Sequence, residues 1–338
     1  MEANQTPNSL NVTSRDLNQT NGPDMAVWVT FGIPLWNWYL TNLTICVAGA
    51  LFNLLLIVAI LGSRSHRRGS GCLIVNVVFI EFCMCAAHLP LNTIMTYQAQ
   101  FHTFAGWVCP YVHFTFLWTQ QAGHWSACFL ALNRFVAFVF PHSYPRWTSR
   151  AAYIGMIAGA WTVGFVDNLF LALGFGGRYV FMPPWYSCGP RSDGRAVLPV
   201  VSAIGVYVPE GIQAALYIII IVKVKIFSRS NRICIDVNNS SVAQARTVAH
   251  RRFSVVKILL VSSVWYILCY FPNTIIASTS LIRYFVRNPV LQLWMRTLFL
   301  CGYAVNPIFF FALSADYRIA AARPLSLLCV MMTRLKKR

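Results

Sequence analysis

The chain has 338 residues, of which 57% are hydrophobic and 11% are charged, and its mean hydropathy is +0.57. Soluble domains carry about a quarter charged residues, so this composition excludes an ordinary soluble protein and indicates a polytopic membrane protein. The formal net charge of +18 is then first a signal of membrane topology, because no soluble basic face of the kind that binds nucleic acid is visible.

The N-terminal tail is polar and rich in asparagine, and it contains no apolar h-region. We therefore expect no cleavable signal peptide and expect the first membrane segment to serve as the anchor. Three N-x-S/T sequons, at Asn4, Asn11 and Asn18, predict that residues 1–34 form a glycosylated exterior tail. Asn42 has the same pattern but lies close to the membrane.

Seven apolar segments follow the tail, and each is long enough to cross a bilayer as a helix. They are Leu35–Leu61, Cys72–Tyr97, Trp107–Phe140, Ala151–Phe175, Val197–Phe227, Phe253–Ile282 and Val290–Leu313. In the third segment Cys109 and Arg134 are separated by roughly 37 Å of helix, which brings one to each face of the membrane. The sequence thus predicts an all-α membrane protein with a seven-helix bundle over residues 35–313.

Lysine and arginine are unevenly distributed between the two sets of loops. Nineteen lie in one set and six in the other. Because basic residues mark the cytoplasmic side, we expect a multi-pass plasma-membrane protein with its N-terminus outside. This orientation places Cys109 and Cys188 outside, where the two could form a disulfide.

Residues 314–338 are predicted to form a cytoplasmic tail. Ala315 to Ala322 contains helix formers with an apolar side and ends before Pro324, so we expect a short amphipathic helix along the inner leaflet. Cys329 lies beside a basic end and is either palmitoylated or an unmodified cysteine.

Short motifs occur in the predicted spans at positions that support one another. They are Asn53; Asn76 to Glu81 (NVVFIE); Cys109 with Cys188; Asn133-Arg134-Phe135; Trp161; Pro209 with Tyr217; Cys269-Tyr270-Phe271-Pro272; Asn306-Pro307-Ile308-Phe309-Phe310; and Tyr317. Together they resemble the landmarks of the rhodopsin-like (class A) G-protein-coupled receptors, from Leu35 to Tyr317. The third-span triplet and the PHSYPRW that follows it are similar to the melatonin-receptor-like branch and related orphan receptors.

The resemblance implies a disulfide between Cys109 and Cys188 and a conformational switch that couples to a G protein. The switch residues would be Asn133, Arg134, Phe135, Tyr217, Tyr270, Pro272, Asn306, Pro307 and Phe310. Three of these depart from the family pattern. A neutral Asn133 replaces the acid that pairs with Arg134, which predicts raised basal signalling. Phe310 lacks the hydroxyl that the family uses toward Tyr217, which acts in the opposite direction, and Tyr270 replaces a tryptophan.

The resemblance also places a ligand pocket at the outer side of the bundle. Its candidate residues are Asn92, His113, Phe116, Leu117, Gln120, Asn273 and Arg296. Phe116 stands where amine receptors have an aspartate, which argues against a monoamine ligand. The seventh span contains no lysine that could bind retinal. Arg296 predicts a ligand with a carboxylate or phosphate, and a lipid-like ligand fits as well. In the alternative, Arg296 pairs with Asp193 or extends to the outer face.

Three acidic residues lie in or near the spans. An ionisable group inside a membrane is costly, so each is first interpreted as a functional residue. The resemblance implies a sodium site at Glu81 and Asn306, which is disfavoured because the usual polar partners are replaced by Gly123 and Gly302. The alternative is a protonated Glu81 that forms hydrogen bonds inside the bundle. Asp167 is expected to be solvated or paired near the outer end of the fourth span, and Glu210 has no assigned role.

The most consistent function is a receptor that binds an extracellular ligand and activates a heterotrimeric G protein, with membrane lipids as further partners. A receptor-like decoy that does not couple, or a membrane transporter, are the alternatives. The sequence shows no internal repeat that would favour a transporter. It also has no HExxH motif, no GxSxG motif and no glycine-rich phosphate loop, so we expect no enzyme activity and no cofactor.

Overall fold

The computed structural model describes residues 25–63, 70–99, 106–182, 187–194, 197–231, 256–272, 274–275 and 288–322. Within these ranges seven long helices follow one another, numbered α1 to α7 in chain order. They are α1 (Met25–Gly62), α2 (Gly71–Ala99), α3 (Cys109–Val139), α4 (Arg150–Ala172), α5 (Val197–Ser202, Ala203–Tyr207 and Val208–Asn231), α6 (Val256–Pro272) and α7 (Pro289–Ala304 and Asn306–Leu313). A short helix, α8, covers residues 315–322.

The helices correspond to the seven predicted spans, and the seven-helix fold class is confirmed. Helices α1, α2, α4 and α5 are long and apolar enough to cross a membrane, and α7 is a fifth if its two parts are one span. Helix α3, with 31 residues, is also long enough to cross a membrane, but it contains more polar side chains than these helices. One difference lies at the start, because α1 begins at Met25, ten residues before the predicted span. The additional segment, MAVWVTFGIP, is apolar enough to extend the helix.

Helix α3 occupies the centre of the bundle, where it packs against α2, α4 and α5. Pro110 stands in its first turn, where the missing N–H of proline leaves no helical hydrogen bond unmade. Helix α4 begins after Ser149, whose hydroxyl accepts a hydrogen bond from the Ala152 amide at 3.2 Å. A serine in this position satisfies one of the free N–H groups at a helix start.

Helix α7 bends by 41° between Ala304 and Asn306. Pro307 explains the bend, because a proline cannot donate to the carbonyl four residues earlier. That carbonyl belongs to Tyr303, and it accepts a hydrogen bond from Asn53 Nδ2 of α1 at 3.3 Å instead. The buried Asn53 therefore satisfies the polar group that the bend exposes, as the apolar interior of a membrane bundle requires.

Three helices meet at Asn76 of α2. Its Nδ2 donates to Ser126 Oγ of α3 at 2.8 Å, and its Oδ1 accepts from the Trp161 indole of α4 at 3.2 Å. One amide side chain thus uses both its donor and its acceptor to hold two neighbouring helices.

Replacing Asn76 by alanine is expected to lower the free energy of unfolding by about 1–3 kcal/mol, because two polar partners lose their hydrogen bonds. A thermal unfolding assay in detergent measures this as a lower Tm. Thr44→Val is a matched control, since among the described residues the Thr44 hydroxyl bonds to the Leu40 carbonyl alone, at an exposed site. Equal Tm values for the two variants would contradict the three-helix contact.

A β-hairpin covers one end of the bundle, which we call the hairpin end. Strands β1 (Gly177–Met182) and β2 (Ser187–Ser192) pair antiparallel, with Phe181 opposite Cys188. Cys188 forms a disulfide with Cys109 at the start of α3, with their Cα atoms 5.6 Å apart. The predicted disulfide is confirmed, and it holds β2 against the end of the central helix.

The opposite end of the bundle, which we call the Arg134 end, contains the largest group of buried apolar residues. Leu130 of α3, Ile220 of α5 and Leu259 of α6 belong to it together with Phe310 of α7. The apolar contacts therefore hold these four helices together at the Arg134 end. A second apolar group, around Phe299 and Tyr303 of α7, lies nearer the hairpin end.

Candidate ligand pocket and polar core

Arg296 of α7 is half-buried beneath the hairpin. Its Nη2 donates a hydrogen bond to Ser187 Oγ of β2 at 2.7 Å. The Asp193 carboxylate that the sequence offered as a partner is exposed, and among the described residues Arg296 forms no ion pair. A guanidinium without a carboxylate partner, held by one hydroxyl, retains donors for an anionic group.

His113 of α3 lies next to this guanidinium, close enough for the two groups to interact electrostatically. Its ring is stacked on Phe116, with ring centroids 5.6 Å apart, and is tilted against Tyr179 of β1 at 5.2 Å. The ring is 7% exposed, and neither nitrogen has a hydrogen-bond partner among the described residues. Buried imidazole nitrogens are normally paired. His113 can therefore form a hydrogen bond with a ligand group that lies beside Arg296.

The other predicted pocket residues divide into two groups. Phe116 packs in the apolar group of Tyr270 and Phe299, and Leu117 packs against the group that contains Tyr179. Gln120 is buried one turn deeper, with its side chain near that of Tyr270. Asn92 is half-buried on α2, and no described contact joins it to Arg296. Asn273 lies outside the described residues.

Polar side chains of α3 and α4 continue the pocket wall. Asn168 of α4 donates to Gln121 Oε1 of α3 at 2.7 Å. The Asp167 side chain is 7% exposed and lies near Gln121, and its Oδ2 has no partner among the described residues. Burial, together with the nearby Asp167 carboxylate, raises the pKa of Tyr179 on the hairpin. The Tyr179 phenol therefore stays protonated and can donate to the Asn168 carbonyl at 3.5 Å.

Below the pocket, a cavity of about 70 Å³ lies between α2, α3, α5, α6 and α7. Its polar lining consists of Glu81, Gln120, His124, Glu210, Gln213, Tyr217, Ser262, Ser263, Tyr266, Tyr303 and Asn306. Among the hydrogen bonds that cross between helices here are those from Gln213 to Ser263 Oγ at 2.6 Å and between the Tyr266 and Tyr303 hydroxyls at 2.8 Å. The centre of this bundle is thus polar, although its surface is apolar.

Glu81 lies at the α7 side of this cavity, where Asn306 Nδ2 donates to its Oε1. The other carboxylate oxygen and Asn306 Oδ1 have no partner among the described residues. A sodium ion needs several oxygen ligands, and the adjacent Gly123 and Gly302, which also line the cavity, supply no side-chain oxygen. The residues therefore fit a hydrogen-bonded carboxyl group better than a sodium ion.

Arg134 is buried at the Arg134 end, 8% exposed, and its Nε has no partner among the described residues. Its guanidinium interacts with four tyrosine side chains, which are Tyr144, Tyr153, Tyr217 and Tyr317. Asn133 is fully buried, and neither of its side-chain polar atoms has a partner in the described part of the chain. The structure thus brings Arg134 together with Tyr217, whereas Phe135 packs on the margin of the same apolar group.

The other predicted switch residues lie on α6 and α7. Tyr270 is buried against α3 and α7, two residues before Pro272, and Phe310 packs edge-on against Tyr317 with centroids 5.4 Å apart. Pro307 follows Asn306 at the α7 bend. These residues extend from the cavity to the Arg134 end as one set of contacts.

One pair of ionisable residues was missed from the sequence. His124 Nδ1 of α3 and Glu210 Oε1 of α5 are 2.8 Å apart, with side chains that are 1% and 6% exposed. A signal for it was present, because His124 lies roughly 22 Å along α3 from Cys109 and Glu210 roughly 20 Å along α5 from Val197, at 1.5 Å per residue. The two groups therefore lie at similar depth below the hairpin end.

Some predicted modification sites cannot be placed. Asn4, Asn11, Asn18 and Cys329 lie outside the described residues. Asn42, which has a sequon pattern, is 2% exposed and donates to Thr297 Oγ1 of α7 at 3.0 Å. It is therefore part of the helix packing and not accessible for glycosylation.

Comparisons with known proteins agree with this architecture. The family model of seven-transmembrane receptors of the rhodopsin family matches residues 52–310. Among solved structures, squid rhodopsin is similar, with 16% sequence identity and a TM-score of 0.74 over 94% of this chain and 86% of that chain. At this level of identity the structural likeness concerns the fold alone.

Proposed function

Because this chain belongs to the rhodopsin family of seven-transmembrane receptors, and is thus a multi-pass membrane receptor and not an enzyme, we propose that it binds an extracellular ligand with an anionic group and activates a heterotrimeric G protein. The observation that carries the proposal is Arg296, a half-buried guanidinium with no acidic partner among the described residues. The orientation that we propose places the hairpin end outside the cell and the Arg134 end in the cytoplasm.

The surroundings of Arg296 support an anionic ligand with an apolar body. His113 presents two nitrogens without partners beside the guanidinium, and the rings of Phe116 and Tyr179 flank it. Pockets of this kind fix a ligand by a few polar groups on a mainly apolar wall. A carboxylate or phosphate would accept from Arg296 and His113, and a lipid-like tail would contact the aromatic rings.

The same pocket disfavours two other ligand classes. A monoamine would place its ammonium among Phe116, His113 and Arg296, where no carboxylate of the described residues pairs with the guanidinium and the arginine repels the ammonium. Retinal would need a lysine for a Schiff base, and α7 contains none.

The Arg134 end supports coupling to a G protein. Leu130, Ile220 and Leu259 close the space between α3, α5 and α6 in this arrangement. The bent α7 and the polar cavity beside it provide the kinked helix and the free volume that a second arrangement needs. We interpret the present arrangement as the resting one, and separation of α6 from α3 would open a cleft for a helical partner.

Nucleotide exchange on a panel of purified G proteins, added to membranes that contain the receptor, tests this function. Exchange is measured first without ligand and then with a library in which each acid is paired with its neutral amide. We expect acids, and not their amides, to raise exchange. If exchange never exceeds that of membranes without the receptor, the chain is a non-coupling decoy. Ligand-dependent ion flux in liposomes would instead favour a transporter.

The proposed orientation makes a separate prediction. An epitope tag at the N-terminus should be stained on intact cells, and a tag at the C-terminus only after the cells are permeabilised. The excess of basic residues in the loops of the Arg134 end is the physical reason. Staining of both tags on intact cells would contradict the seven-span orientation.

A further inference from the structure

The centre of the bundle contains an interhelical contact that the proposed ligand pocket and the Arg134 end do not explain. His124 of α3 and Glu210 of α5 form the single ion pair found among the described residues, 2.8 Å apart and almost completely buried. The His124–Glu210 pair lies between the pocket and the Arg134 end, on the lining of the central cavity.

A buried pair of this kind needs a reason other than stability. Bringing an imidazole and a carboxylate out of water is unfavourable, and apolar residues of similar size are often as stabilising. Breaking such a pair on one side is much worse, because it leaves a polar group buried without a partner. A buried pair therefore restricts two helices to arrangements in which both partners meet, which is a means of selecting one conformation.

The local backbone of α5 positions the carboxylate. A π-helical segment, Ala203–Tyr207, precedes Pro209 and Glu210. One extra residue in a helical turn rotates everything that follows by about 100° relative to a regular helix. Glu210 thus faces α3 because of this segment.

The pair is also in contact with the helix that must move. The His124 ring packs edge-on against Tyr266 at 5.5 Å and Tyr270 at 5.1 Å, both on α6 just before Pro272. Tyr270 in turn belongs to the apolar group against which Phe116 of the pocket wall packs. A continuous set of contacts therefore joins the pocket, α6 and the pair.

The cavity beside the pair contains unused hydrogen-bonding groups. His124 Nε2, Gln213 Oε1, Ser262 Oγ and Glu81 Oε2 line it and have no partners among the described residues. Buried polar atoms of this kind are normally satisfied by ordered water. These groups can form new hydrogen bonds with His124 or Glu210, directly or through water, when α3 and α5 shift.

We propose that His124 and Glu210 are positioning residues of the signalling switch, which hold α3 and α5 in the resting arrangement and change partners when α6 moves. This inference rests on the proposed function, since it assigns a role within receptor activation. It makes the pair, in place of the neutral Asn133, the polar contact that keeps basal output low.

Three variants of the pair test this role. Glu210→Gln keeps a hydrogen-bonding amide but removes the carboxylate, and it should raise basal nucleotide exchange per receptor by about fivefold to tenfold, the range of ordinary coupling between sites. His124→Gln should do the same. The exchanged double variant, His124→Glu with Glu210→His, restores the complementary pair and should return basal exchange toward that of the wild type.

Asn42→Leu is the matched control, because Asn42 and Thr297 form a buried polar contact between α1 and α7, away from α6. It should lower Tm without changing basal exchange. The proposed role of the pair is refuted if Glu210→Gln leaves basal exchange at the wild-type level. It is also refuted if the exchanged double variant is as active as the single variants.

A second readout separates this inference from the proposed function. Spin labels on a non-natural amino acid at the exposed positions Arg146 and Lys257 report the distance between the α3–α4 turn and α6. Glu210→Gln should widen this distance distribution, and the exchanged double variant should narrow it again. If the wild type never activates a G protein but the distances respond in this way, the proposed function is refuted, whereas the proposed role of the His124–Glu210 pair is supported. If the distance between the two labels is the same in the wild type and in Glu210→Gln, the proposed role of the pair is refuted.

Discussion

Arg296→Ala is expected to raise the concentration of an acidic agonist needed for half-maximal response by about 100-fold, while its neutral amide stays as inactive as it is on the wild type. Loss of one partner of a partly buried, charge-assisted hydrogen bond weakens binding by about 2–5 kcal/mol, and each 1.4 kcal/mol is about tenfold. The measurement is nucleotide exchange as a function of agonist concentration, with the acid and amide found by the library screen.

Two matched variants separate charge from geometry at this position. Arg296→Lys keeps the charge but not the planar group of donors, so it should recover only part of the affinity for a carboxylate. Ser187→Ala removes the hydroxyl that accepts from Arg296 at 2.7 Å and leaves the charge in place, so the acid should remain an effective agonist. A receptor with Arg296→Ala that responds normally to acids would refute an anionic ligand at this site.

His113 is the second residue expected to contact the ligand at this site. Its two nitrogens lie beside Arg296 without partners among the described residues, whereas Gln120 lies deeper in the bundle, on the lining of the central cavity. The structure therefore favours His113 over Gln120 as the second group that contacts the ligand. The sequence could not separate these two residues, because they are seven residues, or about two turns, apart and so occupy the same side of α3.

Much of the architecture follows from local features of the sequence. Apolar length predicts the seven helices, because a bilayer requires about 20 apolar residues for each span. The bend of α7 follows from Pro307, and the presence of Asn53 in α1 is explained once the Tyr303 carbonyl needs a donor. These features depend on chain chemistry within a few residues, so they can be predicted without knowing the packing.

The polar centre could not be predicted in the same way. Helix α2 contains a π-helical segment at Met84–His88 and α5 one at Ala203–Tyr207, and each changes the direction of all side chains that follow. A regular period of 3.6 residues therefore assigns the wrong face to residues beyond these segments. Glu210 follows the segment in α5, which is why its partner on α3 was not identified from the sequence.

The partner of Arg296 was missed for another reason. The sequence suggested Asp193 on the basis of opposite charge, but the hairpin register places Ser187 toward α7 and leaves Asp193 exposed beyond the end of β2. The disulfide between Cys109 and Cys188 fixes the position of Ser187, the neighbouring residue, relative to α3. Charge complementarity alone contains no information on this register.

Asn133→Asp is expected to lower basal nucleotide exchange by about tenfold or more, because a hydrogen bond to a charged group contributes about 1.5–3 kcal/mol and each 1.4 kcal/mol is about tenfold. Asn133 is completely buried, and both of its polar atoms, like Nε of Arg134, lack partners among the described residues. An aspartate here offers Arg134 the carboxylate that the present sequence does not provide. It should therefore stabilise the closed arrangement of the Arg134 end relative to any open one.

Asn133→Leu is the matched control for this prediction. It removes the same two unpaired polar atoms and keeps a similar volume, but it provides no charge, so basal exchange should not fall. Exchange is compared at equal amounts of receptor in the membrane, because both variants also change a buried site and can alter expression. If Asn133→Asp shows the basal output of the wild type, Arg134 is held by its tyrosine neighbours alone, and the His124–Glu210 pair becomes the main polar restraint on the resting receptor.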